Sequence, residues 1–198
     1  MGHYFLNDNN IESNVKKLKY TFKGKVLDLE TDKGIFCKDH IDFGTNILLN
    51  SLPDFEGSLK MIDVGCGYGL IGLCVAKAYP EFEVNMIDVN RRALDIAIKN
   101  AKFNKVENVK IFESDTYKNV DGNFDVIITN PPIRAGKSVV HEIVIRGYEK
   151  LNINGRIFVV IQKKQGAPSL IAKMEEVYDE VNIINKEKGY FIIEGYKR

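Results

Sequence analysis

Asp63, Asp88, Asp115 and Asn130 share one feature. Each stands at or just beyond the end of a short apolar run of the kind that folds as a buried strand. Carboxylates and an amide placed this way can accept hydrogen bonds from a polar ligand. Asp63 lies within Ile62-Asp-Val-Gly-Cys-Gly-Tyr-Gly-Leu-Ile-Gly72, where Gly65, Gly67 and Gly69 alternate before an apolar stretch that begins near Leu70. Glycines in such a strand-to-helix turn let the backbone come close to a ligand and take positive φ.

The same residues contain Gly67-x-Gly69-x-x-Gly72, a spacing that also serves dinucleotides by placing pyrophosphate at a helix N-terminus. In that frame the first glycine follows the strand at once. Here Gly65 and Cys66 intervene, and the Asp63 carboxylate at the strand end repels phosphates. The Asp-x-Gly-x-Gly-x-Gly frame suits instead a ligand with cationic groups and no phosphate, which S-adenosylmethionine satisfies through its sulfonium and ammonium. Asp88 stands where an acidic residue accepts from a ribose cis-diol, a device shared with NAD enzymes, and Asp115 can accept from an adenine amino group. Taken alone, each of these two carboxylates reads equally well as a helix cap.

Asn130-Pro131-Pro132-Ile133 points to chemistry on an amine. An exocyclic amine on a base is a poor nucleophile because its lone pair is delocalised into the ring. Two acceptors, the Asn130 side-chain oxygen and the Pro131 carbonyl, can each take one N–H, favour the pyramidal geometry and stabilise the positive charge that develops during transfer. Consecutive prolines lack N–H groups, fix φ and restrain the preceding residue, so the carbonyl direction is set.

These residues need a scaffold that brings successive strand ends to one edge. The chain alternates strand and helix. Strands are expected near Leu59–Val64, Val84–Val89, Val109–Phe112, Phe124–Thr129 and Arg156–Ile161, and helices over Leu70–Tyr79, from Asn90 to about Ala101, and over Ser138–Leu151. A helix opened by Pro168 and a hairpin around Lys186–Gly189 close the chain. Upstream, a short helix is expected from Glu12 to Tyr20, a hairpin from Lys25 to Cys37 around Asp32-Lys33-Gly34, and a helix from Phe43 capped by Thr45 and ending before Pro53. Such alternation predicts an α/β fold, a mostly parallel sheet covered on both faces, with ligands at the carboxyl ends of its strands.

Composition narrows the class. The 198 residues are 44% hydrophobic, enough for one core, and 28 Lys and Arg nearly balance 27 Asp and Glu, so net charge argues for no polyanion. Cys37, Cys66 and Cys74 have no Cys-x-x-Cys spacing and His3, His40 and His141 no metal-ligand spacing, which argues against a disulfide framework or a metal site. A polar N-terminus and the absence of any apolar window of membrane-spanning length lead to the expectation of a soluble, cytoplasmic protein.

Together, Asp-x-Gly-x-Gly-x-Gly and Asn-Pro-Pro-Ile resemble the class I S-adenosylmethionine-dependent methyltransferases that modify amino groups. Gly34-Ile-Phe-Cys-Lys-Asp-His-Ile-Asp-Phe-Gly-Thr-Asn-Ile-Leu-Leu, the glycine loop and Asn-Pro-Pro-Ile-Arg-Ala-Gly-Lys resemble more closely the ribosomal small-subunit RNA guanine-N2 methyltransferases. The resemblance implies a Rossmann-like seven-stranded sheet with one antiparallel strand, preceded by a small N-terminal helix and hairpin extension. It implies one methyltransferase domain over residues 1–198, with 1–55 as extension and lead-in helix and 56–198 as catalytic core. S-adenosylmethionine is then held by Asp63, Gly65, Gly67, Gly69, Asp88 and Asp115, and Asn130, Pro131, Pro132 and Ile133 form the catalytic turn. Two departures bear on the substrate. Ile133 stands where many amino-methyltransferases carry an aromatic, and the second domain of the two-domain guanine enzymes has no counterpart here.

Between Pro131 and Lys173, Arg134, Lys137, Arg146, Lys150, Arg156, Lys163, Lys164 and Lys173 face only Glu142 and Glu149, and Lys16, Lys17, Lys19, Lys23 and Lys25 form a second basic cluster. Either cluster can contact RNA phosphates or serve as an ordinary solvated face. The expected partner is RNA, foremost ribosomal small-subunit RNA or its particle. Protein glutamine-N5 methylation presents the same two amide hydrogens to Asn130 and Pro131, and a non-catalytic RNA-binding module that keeps the fold is the third reading.

Overall fold

The computed structural model describes residues 15–32 and 41–198. The chain runs through β1 (Lys16–Phe22), β2 (Lys25–Thr31), α1 (Phe43–Ser51), β3 (Lys60–Val64), α2 (Leu70–Ala78), β4 (Glu83–Asp88), α3 (Arg91–Phe103), β5 (Val109–Glu113), β6 (Phe124–Thr129), α4 (Lys137–Lys150), β7 (Leu151–Gln162), α5 (Ala167–Glu175), β8 (Glu180–Glu187) and β9 (Tyr190–Tyr196). Short 3-10 turns at Ile133–Ala135 and Lys163–Gln165 precede α4 and α5. The main sheet has seven strands in the order β5-β4-β3-β6-β7-β9-β8. β9 runs antiparallel to both its neighbours and the remaining pairs are parallel, as expected.

Alternation along each strand builds two cores. On β3, Met61 joins one cluster and Ile62 the other; on β6 the same split separates Val126 and Ile128 from Ile127. One face is covered by α1, α2 and α3 through Ile47, Leu48, Leu73, Val75, Ala93 and Ala97. The opposite face is covered by α4 and α5 through Val140, Ile143, Val144, Leu170 and Met174. Burial of each valine, leucine, isoleucine or methionine among them contributes about 1.5–3 kcal/mol against its exposure to water.

The N-terminal region departs from expectation. Lys16–Phe22 is a strand rather than the second half of a helix; Glu12–Asn14 lie outside the described residues. The hairpin turns at Lys23-Gly24, and β2 is its second strand instead of its first. Leu18, Tyr20 and Phe22 point inward with a period of two, and Lys23 and Gly24 both take positive φ, 45° and 74°, as a two-residue turn matched to strand twist requires. Lys33–Cys37, where the expected turn would have finished, lie outside the described residues, as does His40. Phe22, Leu27 and Leu29 of this hairpin are buried in the α1–α3 core. Asn100 and Asn104 of α3 fasten it as a strand would: their amides exchange hydrogen bonds with the backbone of Asp28 and Glu30 over 2.7–3.0 Å.

Among the described residues, no helix is long and apolar enough to cross a membrane, and no group of three or more His, Cys, Asp or Glu could hold a metal ion.

Candidate active site

Parallel register brings the chosen residues to one edge. Val64 pairs with Ile87, Asp63 with Ile128, and Asp88 with Glu113, so β3, β4, β5 and β6 end side by side. The Thr129 hydroxyl at the end of β6 donates to the Val64 carbonyl at the end of β3, 2.8 Å away. Beyond those ends the glycine loop and the Asn-Pro-Pro turn meet: a Cβ built on Gly65 would lie 3.7 Å from Pro132 Cδ.

The loop takes the backbone conformations that its sequence promised. Gly65, Gly67 and Gly69 have φ of 78°, 54° and 95°. Space above Gly67 is open, whereas a Cβ on Gly69 or Gly72 would collide with Met86 at 2.9 and 2.6 Å. Gly72 therefore serves close packing of α2 on β4, while Gly67 leaves the approach that a ligand needs.

Asp88 is buried, and each of its carboxylate oxygens holds one backbone donor: Oδ2 takes Gly67 N–H and Oδ1 takes Asn90 N–H, both at 2.9 Å. Asn90 caps α3 by accepting from Ala93 N–H, as expected. Asn100 donates to the Tyr68 carbonyl at 2.9 Å and so links the loop to the N-terminal hairpin.

Asp63 is wholly buried beneath the loop. Its Oδ2 accepts from Gly72 N–H at 2.9 Å, and its Oδ1 is buried with no hydrogen-bond partner among the described residues. Burial, opposed by the Gly72 bond and reinforced by the nearby Asp88 charge, pushes the Asp63 carboxyl up to about 7. An orphaned acceptor under an open glycine turn fits a cofactor with positive charge and no phosphate.

Asp115 lies two residues past β5 but faces solvent and pairs with Lys118, so it shares the edge without pointing a free carboxylate toward the loop. Cys66 and Cys74 are free, buried thiols whose burial raises their pKa, which leaves them unreactive; Cys37 lies outside the described residues.

Asn130 is held by two residues to which the sequence assigns no part in the site. Its amide Nδ2 donates to Asp42 Oδ2 at 3.0 Å and to Thr45 Oγ1 at 2.8 Å. Asp42, not Thr45, caps α1 through Thr45 N–H. The better cap wins because a carboxylate three residues ahead reaches the exposed N–H, and the Thr45 hydroxyl is thereby freed for Asn130. Both amide hydrogens are engaged and Oδ1 has no partner among the described residues, so an acceptor is presented. The Pro132 carbonyl accepts from Ala135 N–H, while the Pro131 carbonyl takes no hydrogen bond among the described residues. Ile133 packs partly against the α4/α5 core and lines a cavity of about 130 Å³ with Lys137, His141, Ile161 and Gln165. Burial, then Lys137 and Lys173, lower the His141 pKa below the ordinary imidazole value.

The basic stretch divides. Arg146, Arg156 and Lys173 are in ion pairs with Glu142, Glu194 and Glu176, and Lys150 bonds the Val120 carbonyl. Arg134, Lys137, Lys163 and Lys164 are exposed and make no side-chain hydrogen bond or ion pair among the described residues. They follow the ends of β6 and β7, on the sheet edge that also carries Asn130. Of the other cluster, Lys19 and Lys23 pair with Asp28 and Asp54.

The sequence model of the methyltransferase small domain matches residues 16–194. The chain belongs to that family. S-adenosylmethionine is accordingly its cofactor, and methyl transfer its reaction class. A Bacillus subtilis relative, "Uncharacterized protein YbxB", is 45% identical over 98% of both chains. The Shewanella denitrificans "Ribosomal RNA small subunit methyltransferase C" is 34% identical over 79% of this chain and 46% of its own, and the chain spans about half or less of the length of each such curated relative that it matches. Among solved structures, the T. thermophilus 16S rRNA N2 methyltransferase in complex with AdoMet and guanosine has a TM-score of 0.83 at 21% identity, covering 93% of this chain and 51% of that one. A methyltransferase from Pyrococcus furiosus has a TM-score of 0.72 at 19% identity, covering 86% and 89%. These two likenesses establish the small-domain fold.

Proposed function

We propose that the chain methylates an exocyclic amino group of RNA, with guanine N2 of ribosomal small-subunit RNA as the substrate, acting in the cytoplasm as a single domain with 1–55 leading into a 56–198 catalytic core. The observation that carries this reading is the Asn130 amide, whose two N–H groups are spent on Asp42 and Thr45, which leaves its oxygen as an acceptor in a turn whose Pro132 meets the glycine loop at Gly65.

S-adenosylmethionine supplies an electrophilic methyl carbon on sulfonium. The turn from Gly65 to Gly69 would leave room for it above Gly67, Asp88 would accept from its ribose, Asp63 beneath the loop would balance its positive charge, and Asp115, on the same strand edge, would serve its adenine. Asn130 Oδ1 and the Pro131 carbonyl each accept one N–H of the target amine. Drawing both hydrogens to one side turns the nitrogen lone pair out of conjugation and toward the methyl carbon. As the nitrogen gains charge, those two acceptors stabilise it more than they stabilised the neutral amine, which is the condition for lowering the barrier. The N–CH3 bond would form as the S–CH3 bond breaks and its electron pair stays on sulfur, which becomes a neutral thioether; the methylated ammonium, strongly acidic on a base ring, would then give its proton to water, so no strong base is needed. Pro132 stiffens the turn, and Ile133 offers an apolar edge to the base. Arg134, Lys137, Lys163 and Lys164 supply unpaired cations for neighbouring phosphates, which favours RNA over a protein amide. The names of the small-subunit methyltransferase relatives agree with an RNA substrate.

The test is methyl transfer from tritiated S-adenosylmethionine to naked small-subunit RNA, to small ribosomal subunits and to release-factor protein, with nucleoside mass spectrometry of the product. The expected product is N2-methylguanosine in RNA. Label found only in protein glutamine contradicts the proposal.

A further inference from the structure

An asparagine side chain has two ends of nearly equal size, and a half-turn about its last torsion exchanges an acceptor for a donor. Presenting oxygen, Asn130 welcomes an amine; presenting NH2, it would welcome a ring carbonyl. On the proposed-function reading the difference decides which groups of a base can be seated. We infer that Asp42 and Thr45 are positioning residues that fix the polarity of Asn130, so that the site selects an exocyclic amine and refuses a carbonyl.

The geometry leaves one orientation. A carboxylate only accepts, so the end of Asn130 that lies 3.0 Å from Asp42 Oδ2 is the nitrogen. Thr45 spends its hydroxyl hydrogen on the same Oδ2, at 3.4 Å, and its lone pairs then receive the second Asn130 N–H at 2.8 Å. Oδ2 also takes Thr45 N–H at 2.9 Å, which anchors the carboxylate at the start of α1. A flipped amide would set oxygen against carboxylate oxygen and lose both donors, a double penalty in a half-buried place. Gly44 keeps the carboxylate where it is needed, since a Cβ there would lie 2.9 Å from Asp42 Oδ2 and 2.7 Å from the Tyr190 ring. Two donor bonds, one to a full negative charge, also polarise the amide and make Oδ1 a stronger acceptor for a nitrogen that is becoming positive.

Two readouts test this on the whole chain. In a 15N-labelled protein, the Asn130 side-chain NH2 pair, identified by its loss in Asn130→Ala, is expected to be protected from hydrogen exchange and shifted away from exposed amides. Thr45→Val and Asp42→Ala should each move it to the exposed position, and Thr45→Ser should bring it back. An Asn130 pair that already exchanges like an exposed amide in the parent overturns the inference.

With tritiated S-adenosylmethionine and naked small-subunit RNA, Asp42→Ala should lower kcat by about tenfold or more and leave cofactor affinity unchanged, yet add no further loss in an Asn130→Ala background. A helix cap with no link to Asn130 would lower Tm and reduce turnover equally in both backgrounds, which overturns the inference. The amide readout needs no substrate, so it judges the lock separately; normal turnover of Asn130→Ala would instead remove the amine-methylation reading.

Discussion

The Gly67 N–H donates to Asp88 Oδ2 at 2.9 Å, so the carboxylate proposed to hold the cofactor ribose also holds the middle of the glycine loop in place. Its other oxygen takes Asn90 N–H at the start of α3, which joins the loop, β4 and α3 at one buried charge. Removing that charge affects both the ribose contact and the loop that meets it.

Asp88→Ala is therefore expected to weaken S-adenosylmethionine binding by about tenfold to a hundredfold, the effect of losing a charge-assisted hydrogen bond of roughly 1.5–3 kcal/mol. Isothermal calorimetry checks this, with NAD titrated in parallel and expected not to bind. Unchanged cofactor affinity would take Asp88 out of the site.

Asp63 gives a pH dependence with a definite sign. Its carboxyl is pushed up to about 7 from an ordinary 3.8, so between those values the folded chain keeps a proton that the unfolded chain has released. Stability on account of Asp63 is full below about pH 4, falls as pH rises toward 7, and levels off above it. Urea titrations should show the parent losing more stability than Asp63→Asn between pH 5 and pH 8, with a slope difference approaching about 1.4 kcal/mol per pH unit below 7. A cationic cofactor favours the ionised carboxylate, so its binding near pH 6.5 should release protons, which calorimetry in buffers of different ionisation enthalpy detects. Identical pH slopes for parent and Asp63→Asn would show that the carboxyl is not held protonated.

Lys163 and Lys164 are expected to act on phosphates without touching cofactor. Reversing both to glutamate should weaken binding of small-subunit RNA, flatten the dependence of log Kd on log salt, and leave S-adenosylmethionine affinity unchanged. Filter binding over a range of potassium chloride measures this. Equal RNA affinity at low salt would move the contact to the N-terminal hairpin, where Lys17 and Lys25 are exposed.

Elements set by local pattern are legible in the sequence. Val84 and Met86 of β4 and Ala93 and Ala97 of α3 repeat at the spacing of their own elements, and Asn90 announces its cap, so strand ends and the residues beyond them could be placed. The hairpin was misplaced because Lys23 stands at positive φ, where glycine or asparagine usually signals the turn, and the lysines of β1 obscure its two-residue alternation. Asp42 was missed for a different reason. It meets Asn130 across 88 positions of sequence, and no local pattern encodes a contact of that separation. Only its standing three residues before Thr45, as a cap ahead of Phe43, marked it at all. Asp115 shows the converse: its position at a strand end was legible, but its pairing with Lys118 depends on a side-chain choice that spacing does not fix.

Amine methylation at this site depends on Asn130, and the decisive measurement is single-turnover methyl transfer by Asn130→Ala at saturating S-adenosylmethionine. The side chain lies outside the cofactor loop, so cofactor affinity should match the parent. Loss of one preorganised acceptor should lower the transfer rate by about 10²–10³, more than it raises KM. Asn130→Asp, which keeps an acceptor oxygen, should retain more activity than alanine. An alanine variant that transfers methyl at near the parent rate would mean that Asn130-Pro131-Pro132 is only a stiff turn and would contradict amine methylation at this site.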